Sequence, residues 1–269
     1  MGTLLLVHAH PDDESIATGG VMLKARAEGH RVVLVTATRG EVGEIHNMDE
    51  ASIRPRLAEV RTEEMRRAGE ILGINRQEFL GYRDSGMAGT ADNDNPASFH
   101  GADLRQAAER VAAIIREERP DVVVTYTSDG TYGHPDHVKS HYVTVAAVDV
   151  VEAEGVAPEK LYFHAIPKSW MEQMAARARE AGQELPTDEP GMRLIGTPDE
   201  EITTSIDVRE YVERKVAAFR AHVSQNAPNG FLDTMQGEIL EAAMGTETFV
   251  LARGPKGEEK PERSLFAGL

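Results

Sequence analysis

Two short segments rich in histidine and aspartate carry the residue types from which metal sites are built. The first, "HAHPDDE", contains His10, Asp12 and Asp13, and the second, "YGHPDH", contains His134 and His137 about 120 residues later. Imidazole nitrogens and carboxylate oxygens are ligands that divalent cations such as Zn²⁺ accept. Because both segments repeat His-Pro-Asp and each follows an apolar stretch, we interpret them as two halves of one site.

The spacing of these residues allows a three-ligand site that keeps one position open. His10 and Asp13 can offer a nitrogen and an oxygen to one ion, and His137 or His134 can supply the third ligand. Two histidines and one carboxylate form the ligand set of several catalytic zinc sites, although iron(II) accepts the same set. Asp12, which adjoins the ligands, is then free to take a proton from a water molecule.

A purely structural explanation exists for each segment taken alone. Aspartates that follow a strand also occur at helix N-termini, where they accept backbone hydrogen bonds and complement the helix dipole. That explanation accounts for one His-Pro-Asp segment but gives no reason for two. Six of the histidines without such a motif are interpreted as structural or surface residues: His8, His30, His46, His100, His141 and His164.

The composition is that of a globular protein with an acidic balance. The 269 residues include 29 lysines and arginines against 45 aspartates and glutamates, a formal net charge of −16. Such a charge repels nucleic acid, and no apolar stretch approaches the roughly 20 residues that span a bilayer. There is no cysteine, which excludes disulfides and cysteine-held metals. We expect a small-molecule substrate, no signal peptide and a cytoplasmic location, and we leave a homo-oligomer open.

Apolar runs and helical periodicity indicate the elements that must position the two segments. Runs at residues 3–8, 31–37 and 121–127 lack polar alternation, which is typical of parallel strands buried on both faces. Between and after them we predict helices at residues 15–28, 55–72, 103–118 and 138–154. This alternation predicts an α/β, Rossmann-like, mostly parallel sheet with helices on both faces, in which ligands bind at the carboxyl ends of strands.

Beyond residue 155 the pattern is less regular. It predicts strands at 160–166 and 247–252, helices at 170–181 and from Asp207 to His222, and loops at 186–198 and 227–230. We therefore predict a catalytic core over residues 1–155 and a C-terminal portion, residues 156–269, that completes the same domain and the substrate pocket.

Arg61 and Glu64 interrupt the apolar stripe of the second predicted helix. A charge on a buried helix face needs a partner. One interpretation pairs the two residues with each other across three positions, and the other directs Arg61 toward Asp84, Glu44 or a polyhydroxylated ligand. The loops "RGEVGE" and "GYRDSGMAG", which contain Glu44 and Asp84, are expected to form the rim of the pocket.

The chain resembles the PIG-L/LmbE-type metal-dependent deacetylases. The resemblance rests on "AHPDDE" after an N-terminal strand and on "GHPDH", and it extends through "RGEVGE", "RDSGMAG", "VVVTY", "KVAAFRAH" and "LFAGL". Residues 155–205 match least. Within the family the chain is similar to the members of the mycothiol pathway, which remove acetate from N-acetylglucosaminyl-inositol. The resemblance implies a Zn²⁺-dependent N-deacetylase, with Fe²⁺ as the alternative metal.

The resemblance also implies a role for each residue of the two segments. It implies His10, Asp13 and His137 as the metal ligands and Asp12 as the general base that activates water.

Further implied roles concern the leaving group and the sugar. His134 would stabilise the oxyanion and protonate the departing amine, Asp136 would orient His134, and Tyr132 would lie beside the substrate carbonyl. The residues implied to contact the sugar–inositol ligand are Arg61, Glu44 and Asp84.

Alternatives within and outside this family stay open. The substrate could be another acetamido sugar, such as chitobiose, a bacillithiol precursor or an antibiotic intermediate. A mycothiol S-conjugate amidase typically has a lysine shortly after HPDDE, whereas this chain has Ile16 there and no lysine before Lys24. A non-catalytic nucleotide- or sugar-binding module on the same sheet is the alternative from another class. It lacks support, because no G-x-G-x-x-G follows the first strand and because it gives no reason for the paired motifs.

Overall fold

A single sheet organises the chain. The computed structural model describes residues 1–180, 196–228, 230 and 237–269. Within these ranges the strands are β1 (Thr3–His8), β2 (Arg31–Thr36), β3 (Arg76–Phe79), β4 (Val122–Tyr126), β5 (Lys160–His164), β6 (Thr204–Asp207) and β7 (Thr246–Arg253). They form a seven-stranded sheet of order β3-β2-β1-β4-β5-β7-β6. Strands β1 to β5 are parallel, and β7 pairs antiparallel with β5 and β6.

Helices cover both faces of this sheet. In the described ranges they are α1 (Asp13–Ala17), α2 (Gly19–Ala27), α3 (Glu50–Ile53), α4 (Leu57–Leu72), α5 (Leu104–Glu118), α6 (Gly130–Gly133), α7 (Pro135–Ala153), α8 (Lys168–Glu180), α9 (Val212–Arg220) and α10 (Gly237–Met244). Leu4 and Leu6 of β1 pack with residues of α2, α4 and α9, whereas Leu5 and Val7 pack with α5 and α7. Because both faces are buried, the strand needs apolar residues at every position.

The predicted mostly parallel α/β sheet is confirmed, and β1, β2 and β4 lie within the three apolar runs. The first predicted helix is divided in two at Thr18, whose hydroxyl lies 2.9 Å from Nε2 of His8. The helix predicted from Asp207 to His222 is present but shorter: Asp207 ends β6, its carboxylate accepts the backbone N–H of Arg209 at 3.1 Å, and α9 spans Val212–Arg220. Residue 181 of the predicted helix, residues 186–195 of the first predicted loop and residue 229 of the second lie outside the described residues.

The sheet brings the two His-Pro-Asp segments together. Strands β1 and β4 are parallel neighbours, paired at Leu4–Val122 through Leu6–Val124, and each segment follows the carboxyl end of one of them. The C-terminal portion contributes β5, β6 and β7 to the same sheet. Among the described residues, no helix has both the length and the apolar character that crossing a bilayer requires.

A buried ionic network ties the C-terminal residues to the sheet. The ammonium of Lys160, which is 0% exposed, donates to the hydroxyl of Tyr162 at 2.8 Å, to Oε1 of Glu262 at 3.1 Å and to the carbonyl of Ala267 at 2.6 Å. Oε2 of Glu262 accepts from the hydroxyls of Tyr162 and Thr204, at 2.5 and 3.0 Å. The network leaves each buried charge paired.

Glu262→Ala is expected to lower the free energy of unfolding by about 3–5 kcal/mol, because it leaves the buried Lys160 ammonium without its carboxylate. Chemical denaturation measures the change. Glu259→Ala, at an exposed position of the same segment, is the control and should stay within about 0.5 kcal/mol of the parent. Equal losses in the two variants would contradict this account of the network.

Candidate metal centre

The first His-Pro-Asp segment forms a tight turn between β1 and α1. Asp12 has φ 103°, a conformation that residues other than glycine rarely adopt. Its backbone N–H donates to Oε2 of Glu14 at 2.9 Å, and its carbonyl accepts from the N–H of Ser15 at 3.0 Å. The guanidinium of Arg61 donates to the carbonyl of Pro11 and, at 3.3 Å, to the Asp12 carboxylate. The Asp12 carboxylate thus contacts Arg61, whereas that of Asp13 contacts His10 and His137.

The carboxylate of Asp13 links the two segments. Its Oδ2 accepts from the backbone N–H of His10 at 2.8 Å and from the hydroxyl of Tyr126 at 2.7 Å, and lies 3.4 Å from Nδ1 of His10. Its Oδ1 lies 3.3 Å from Nε2 of His137. Two ligand atoms at tetrahedral zinc, each about 2.1 Å from the ion, are about 3.4 Å apart. The separation of Oδ1 and Nε2 therefore suits one shared ion.

Hydrogen bonds determine which ring nitrogen carries the proton in two of the histidines. Nδ1 of His137 donates to the carbonyl of Gly130 at 3.1 Å, which leaves a lone pair on Nε2 of the neutral ring. In His134 the roles are reversed, because Nδ1 accepts the backbone N–H of Asp136 at 3.1 Å and the proton then resides on Nε2. His137 can therefore ligate a metal through Nε2, whereas His134 presents a donor.

The buried polar atoms of the site fit a cation. Nε2 of His137 is buried and has no hydrogen-bond partner in the described part of the chain. A lone pair that faces a carboxylate oxygen is unfavourable unless positive charge lies between them. His10, His134 and His137 each offer a nitrogen within 4.8 Å of the others, and a second such group consists of His10, Asp84 and Asp136. These donors are those that Zn²⁺ and Fe²⁺ accept.

Carboxylates dominate the electrostatics around His10. Burial opposes a charge on this imidazole, but Asp84, Asp13 and Asp136 outweigh the burial and raise the pKa of His10 well above its ordinary value. Burial likewise opposes a charge on Asp13, yet His137 and His10 hold the pKa of its carboxyl well below the usual range. The negative charges that favour imidazolium at His10 also favour a bound cation.

Burial shifts the pKa of Asp12 upward and that of His134 downward. Burial raises the pKa of Asp12 to about 6, against the opposing charge of Arg61, which suits a base that works near neutral pH. Burial, together with His10 and His137, lowers the pKa of His134 to about 2. His134 is therefore a neutral ring before reaction, and the general acid expected from the sequence must first gain a proton.

Asp136 contacts two histidines, His10 through its carboxylate and His134 through its backbone N–H. Its carboxylate accepts from the backbone N–H of Ser85 at 2.9 Å and from the Ser85 hydroxyl, and it lies 3.2 Å from Nε2 of His10. A carboxylate behind a histidine in this way fixes the ring of a metal ligand. Only the backbone N–H of Asp136 contacts His134. Ser85, within "RDSGMAG", is a site residue that sequence reasoning missed.

Tyr126 is a second site residue that sequence reasoning missed, and it contacts both His-Pro-Asp segments. Its hydroxyl donates to Asp13 and accepts from the N–H of Ala9 at 2.9 Å, and its ring stacks on that of His137 with centroids 4.2 Å apart. His8, interpreted from the sequence as an ordinary residue, places Nδ1 3.2 Å from the same hydroxyl. The available signal was a single tyrosine at the end of an apolar strand.

The structure changes the interpretation of Arg61. Both Arg61 and Glu64 are 3% exposed, but they do not pair, because Glu64 accepts the N–H and the hydroxyl of Ser224 at 2.7 Å each. Arg61 instead donates to the carbonyls of Pro11 and Gly40 and to Asp12. Neither the pairing with Glu64 nor a contact with Asp84 or Glu44 is present, so the partners predicted for Arg61 within the chain are wrong.

The remaining predicted site residues lie at different depths. The Glu44 side chain is 86% exposed and lies 3.2 Å from Nε2 of His46. Asp84 is buried with Oδ1 3.6 Å from Nε2 of His10. The Tyr132 ring lies edge-on to that of His137, with centroids 4.8 Å apart. Asp84 and Tyr132 thus adjoin the histidine cluster, whereas Glu44 lies at the surface.

A mostly parallel α/β sheet with this histidine–aspartate cluster places the chain in a known class. The chain belongs to the PIG-L family, whose model, described as GlcNAc-PI de-N-acetylase, matches residues 5–148. It is similar to a protein from Acidothermus cellulolyticus named 1D-myo-inositol 2-acetamido-2-deoxy-alpha-D-glucopyranoside deacetylase. The two are 44% identical over 283 residues, which cover 99% of this chain and 95% of the relative.

Solved structures share the fold. The N,N'-diacetylchitobiose deacetylase from Pyrococcus horikoshii superposes with a TM-score of 0.62 at 20% identity, over 93% of this chain and 83% of that one. GalB, the 4-carboxy-2-hydroxymuconate hydratase from Pseudomonas putida KT2440, gives a TM-score of 0.57 at 20% identity, over 96% and 99%. Because these names denote different reactions, the fold alone does not fix the chemistry.

His137→Ala is expected to abolish stoichiometric Zn²⁺ binding, because it removes the ring nitrogen that faces Asp13. Zinc per chain, measured after chelation, reloading and dialysis, checks this expectation. His100→Ala, at an exposed position, is the control and should keep the ion. Retention of one tightly held ion by His137→Ala, together with its loss in His134→Ala, would assign the ligand role to His134.

Proposed function

We propose that the protein is a Zn²⁺-dependent N-deacetylase that hydrolyses the acetamide of N-acetylglucosaminyl-inositol. The observation that carries the chemistry is the 3.3 Å approach of Asp13 Oδ1 to Nε2 of His137, whose Nδ1 is engaged by the Gly130 carbonyl, at the carboxyl ends of two neighbouring strands. The substrate class is supported by the relative from Acidothermus cellulolyticus, whose name specifies that sugar–inositol and whose similarity spans nearly the whole chain.

His10, Asp13 and His137 would hold the metal ion. His134 is left out of this set, because its Nδ1 accepts a backbone N–H and its Nε2 carries the proton. When bound, Zn²⁺ would polarise the amide carbonyl and lower the pKa of a water molecule. Fe²⁺ accepts the same ligands and stays the alternative metal.

Asp12 is the general base in this proposal. It adjoins Asp13 in sequence, but its carboxylate contacts Arg61 rather than the histidine cluster. With a pKa raised to about 6 by burial, it is ionised at neutral pH and still basic enough to accept the proton of the attacking water. The carboxyl group then holds the proton that the departing amine requires.

His134 stabilises the negative charge that develops on the carbonyl oxygen. As a neutral ring with Nε2–H, it donates a hydrogen bond without first having to lose or gain a proton. Its role as the acid requires that it receive from the Asp12 carboxyl group the proton removed from water, which the negative charge of the tetrahedral species favours. Tyr132, edge-on to His137, lies beside the carbonyl in this arrangement.

Glu44, Asp84 and Arg61 are the proposed contacts to the sugar and the inositol. Of the three, Glu44 has an exposed side chain, whereas Asp84 and Arg61 are 3% exposed. Another acetamido sugar is the alternative substrate, and the test below distinguishes the two. The cytoplasmic location and the homo-oligomer stay predictions from the sequence.

Asp12→Asn is expected to lower kcat by about 10²–10⁴-fold, the usual contribution of a general base. The amide keeps the size of the side chain, so the ion should remain bound, and zinc per chain is measured on the same sample. Wild-type kcat in the variant would contradict the assignment of the base.

Acetate release from N-acetylglucosaminyl-inositol, compared with N-acetylglucosamine and diacetylchitobiose, tests the substrate. We expect kcat/KM to be about 10–100-fold higher for the inositol conjugate, because binding of the remote inositol can be used to lower the barrier at the amide. Equal values for all three, or a preference for diacetylchitobiose, would replace this substrate with another acetamido sugar.

A further inference from the structure

A histidine far along the chain lies behind the turn that carries Asp12. His222 follows α9 and is 0% exposed. Its Nε2 lies 2.8 Å from Oε1 of Glu14, a residue 208 positions earlier that is also 0% exposed. Nδ1 of His222 has no hydrogen-bond partner in the described part of the chain. The contact with Glu14 is therefore the polar interaction that defines the orientation of this ring.

Glu14 connects His222 to the proposed general base. Its Oε1 accepts from His222 and, at 2.5 Å, from the hydroxyl of Ser15, while its Oε2 accepts the backbone N–H of Asp12 at 2.9 Å. Asp12 has φ 103°, and a non-glycine residue keeps such a conformation only where its surroundings impose it. A rotation of the Glu14 carboxylate would remove the hydrogen bond to the Asp12 amide.

We propose that His222 is a positioning residue for the reaction, which acts through Glu14 to hold the backbone of Asp12 and thereby to aim its carboxylate at the attacking water. This inference rests on the proposed function, in which Asp12 is the base. His222 is 0% exposed, and the hydrogen bond of its side chain in the described part of the chain is to Glu14 rather than to a candidate metal ligand. Its effect passes through two hydrogen bonds that the Glu14 carboxylate accepts, one from the His222 ring and one from the backbone N–H of Asp12.

The attachment of the surrounding segment does not depend on His222. Ser224 donates its N–H and its hydroxyl to Glu64 of α4, and Gln225 donates to the carbonyl of Glu44 at 3.0 Å. The carbonyl of Ser224 accepts the N–H of His46 at 2.7 Å. Because these contacts keep the segment in place, loss of the His222 donor should disturb Asp12 rather than release the segment.

A matched pair of amide substitutions separates positioning from packing. The side-chain nitrogen of His222→Gln can occupy the place of Nε2 and reach Glu14, whereas that of His222→Asn is one methylene shorter and cannot. We expect His222→Asn to lower kcat about 10–100-fold with KM changed less than about threefold, since small misplacements of a catalytic group have effects of this size. His222→Gln should retain kcat within about threefold.

Zinc per chain and the thermal midpoint are measured on every variant. The ion should remain stoichiometric in both His222 variants. Ser224→Ala is the control for a structural role, with a lowered thermal midpoint and kcat unchanged. If His222→Asn yields no folded protein, Glu14→Asp replaces it, because the shorter carboxylate cannot reach both His222 and the Asp12 amide, and the same loss of kcat is expected.

Two results would overturn the inference. One is wild-type kcat in folded His222→Asn or Glu14→Asp, and the other is equal impairment of His222→Gln and His222→Asn. Asp12→Asn, assayed alongside, distinguishes this failure from that of the proposed function. A large loss in Asp12→Asn with none in His222→Asn refutes only the positioning role, whereas wild-type kcat in Asp12→Asn refutes the assignment of the base itself.

Discussion

The site depends on a carboxylate and an imidazole nitrogen that face each other and need a positive charge, either a proton or a metal ion, between them. The carboxylate of Asp13 faces Nε2 of His137 at 3.3 Å, and the hydrogen bond from Nδ1 to the carbonyl of Gly130 leaves a lone pair on that nitrogen. Both side chains are largely withdrawn from water, so solvent does not substitute for this charge. A divalent ion held here would use the two atoms as a pair of ligands.

The fold supplies the proximity, and a layer of polar contacts supplies the orientation. Parallel pairing of β1 with β4 brings two segments that are distant in sequence to the same edge of the sheet. Tyr126 then fixes Oδ2 of Asp13, and the Asp136 carboxylate lies behind His10. Groups that orient metal ligands in this way commonly have large effects on metal affinity. The carboxylates make the site attractive to a cation, whereas the neutral His134 ring presents a hydrogen-bond donor.

The sequence predicted the features that leave a local or repeated pattern. An uninterrupted apolar run predicts β1, since a strand buried on both faces has no place for alternating polar residues. The repeated His-Pro-Asp predicted which strand ends meet. Strand β3, "RQEF", and strand β6, "TSID", have no comparable apolar run. They are the two edge strands of the sheet, which explains why polar residues are tolerated there.

Those local patterns could not predict contacts between residues that are distant in the sequence. The partner of Glu64 is Ser224, 160 positions away. Helical spacing reveals only neighbours on the same helix, and it therefore suggested Arg61 as the partner. The partner of Glu14 is His222, and no motif relates the two. Asp136 was expected to orient His134, but only the three-dimensional arrangement reveals that its carboxylate lies against His10 and its amide against His134. Spacing identifies the chemical groups, whereas proton positions follow from contacts.

The most direct test of the shared cation is diffraction from crystals grown with Zn²⁺, measured on both sides of the zinc absorption edge. The account predicts one anomalous peak per chain, bonded to His10, Asp13 and His137, with Nε2 of His134 outside bonding distance. A peak bonded to His134 in place of His137 would contradict the proton positions assigned to the two rings. A peak remote from both His-Pro-Asp segments would contradict the shared site altogether.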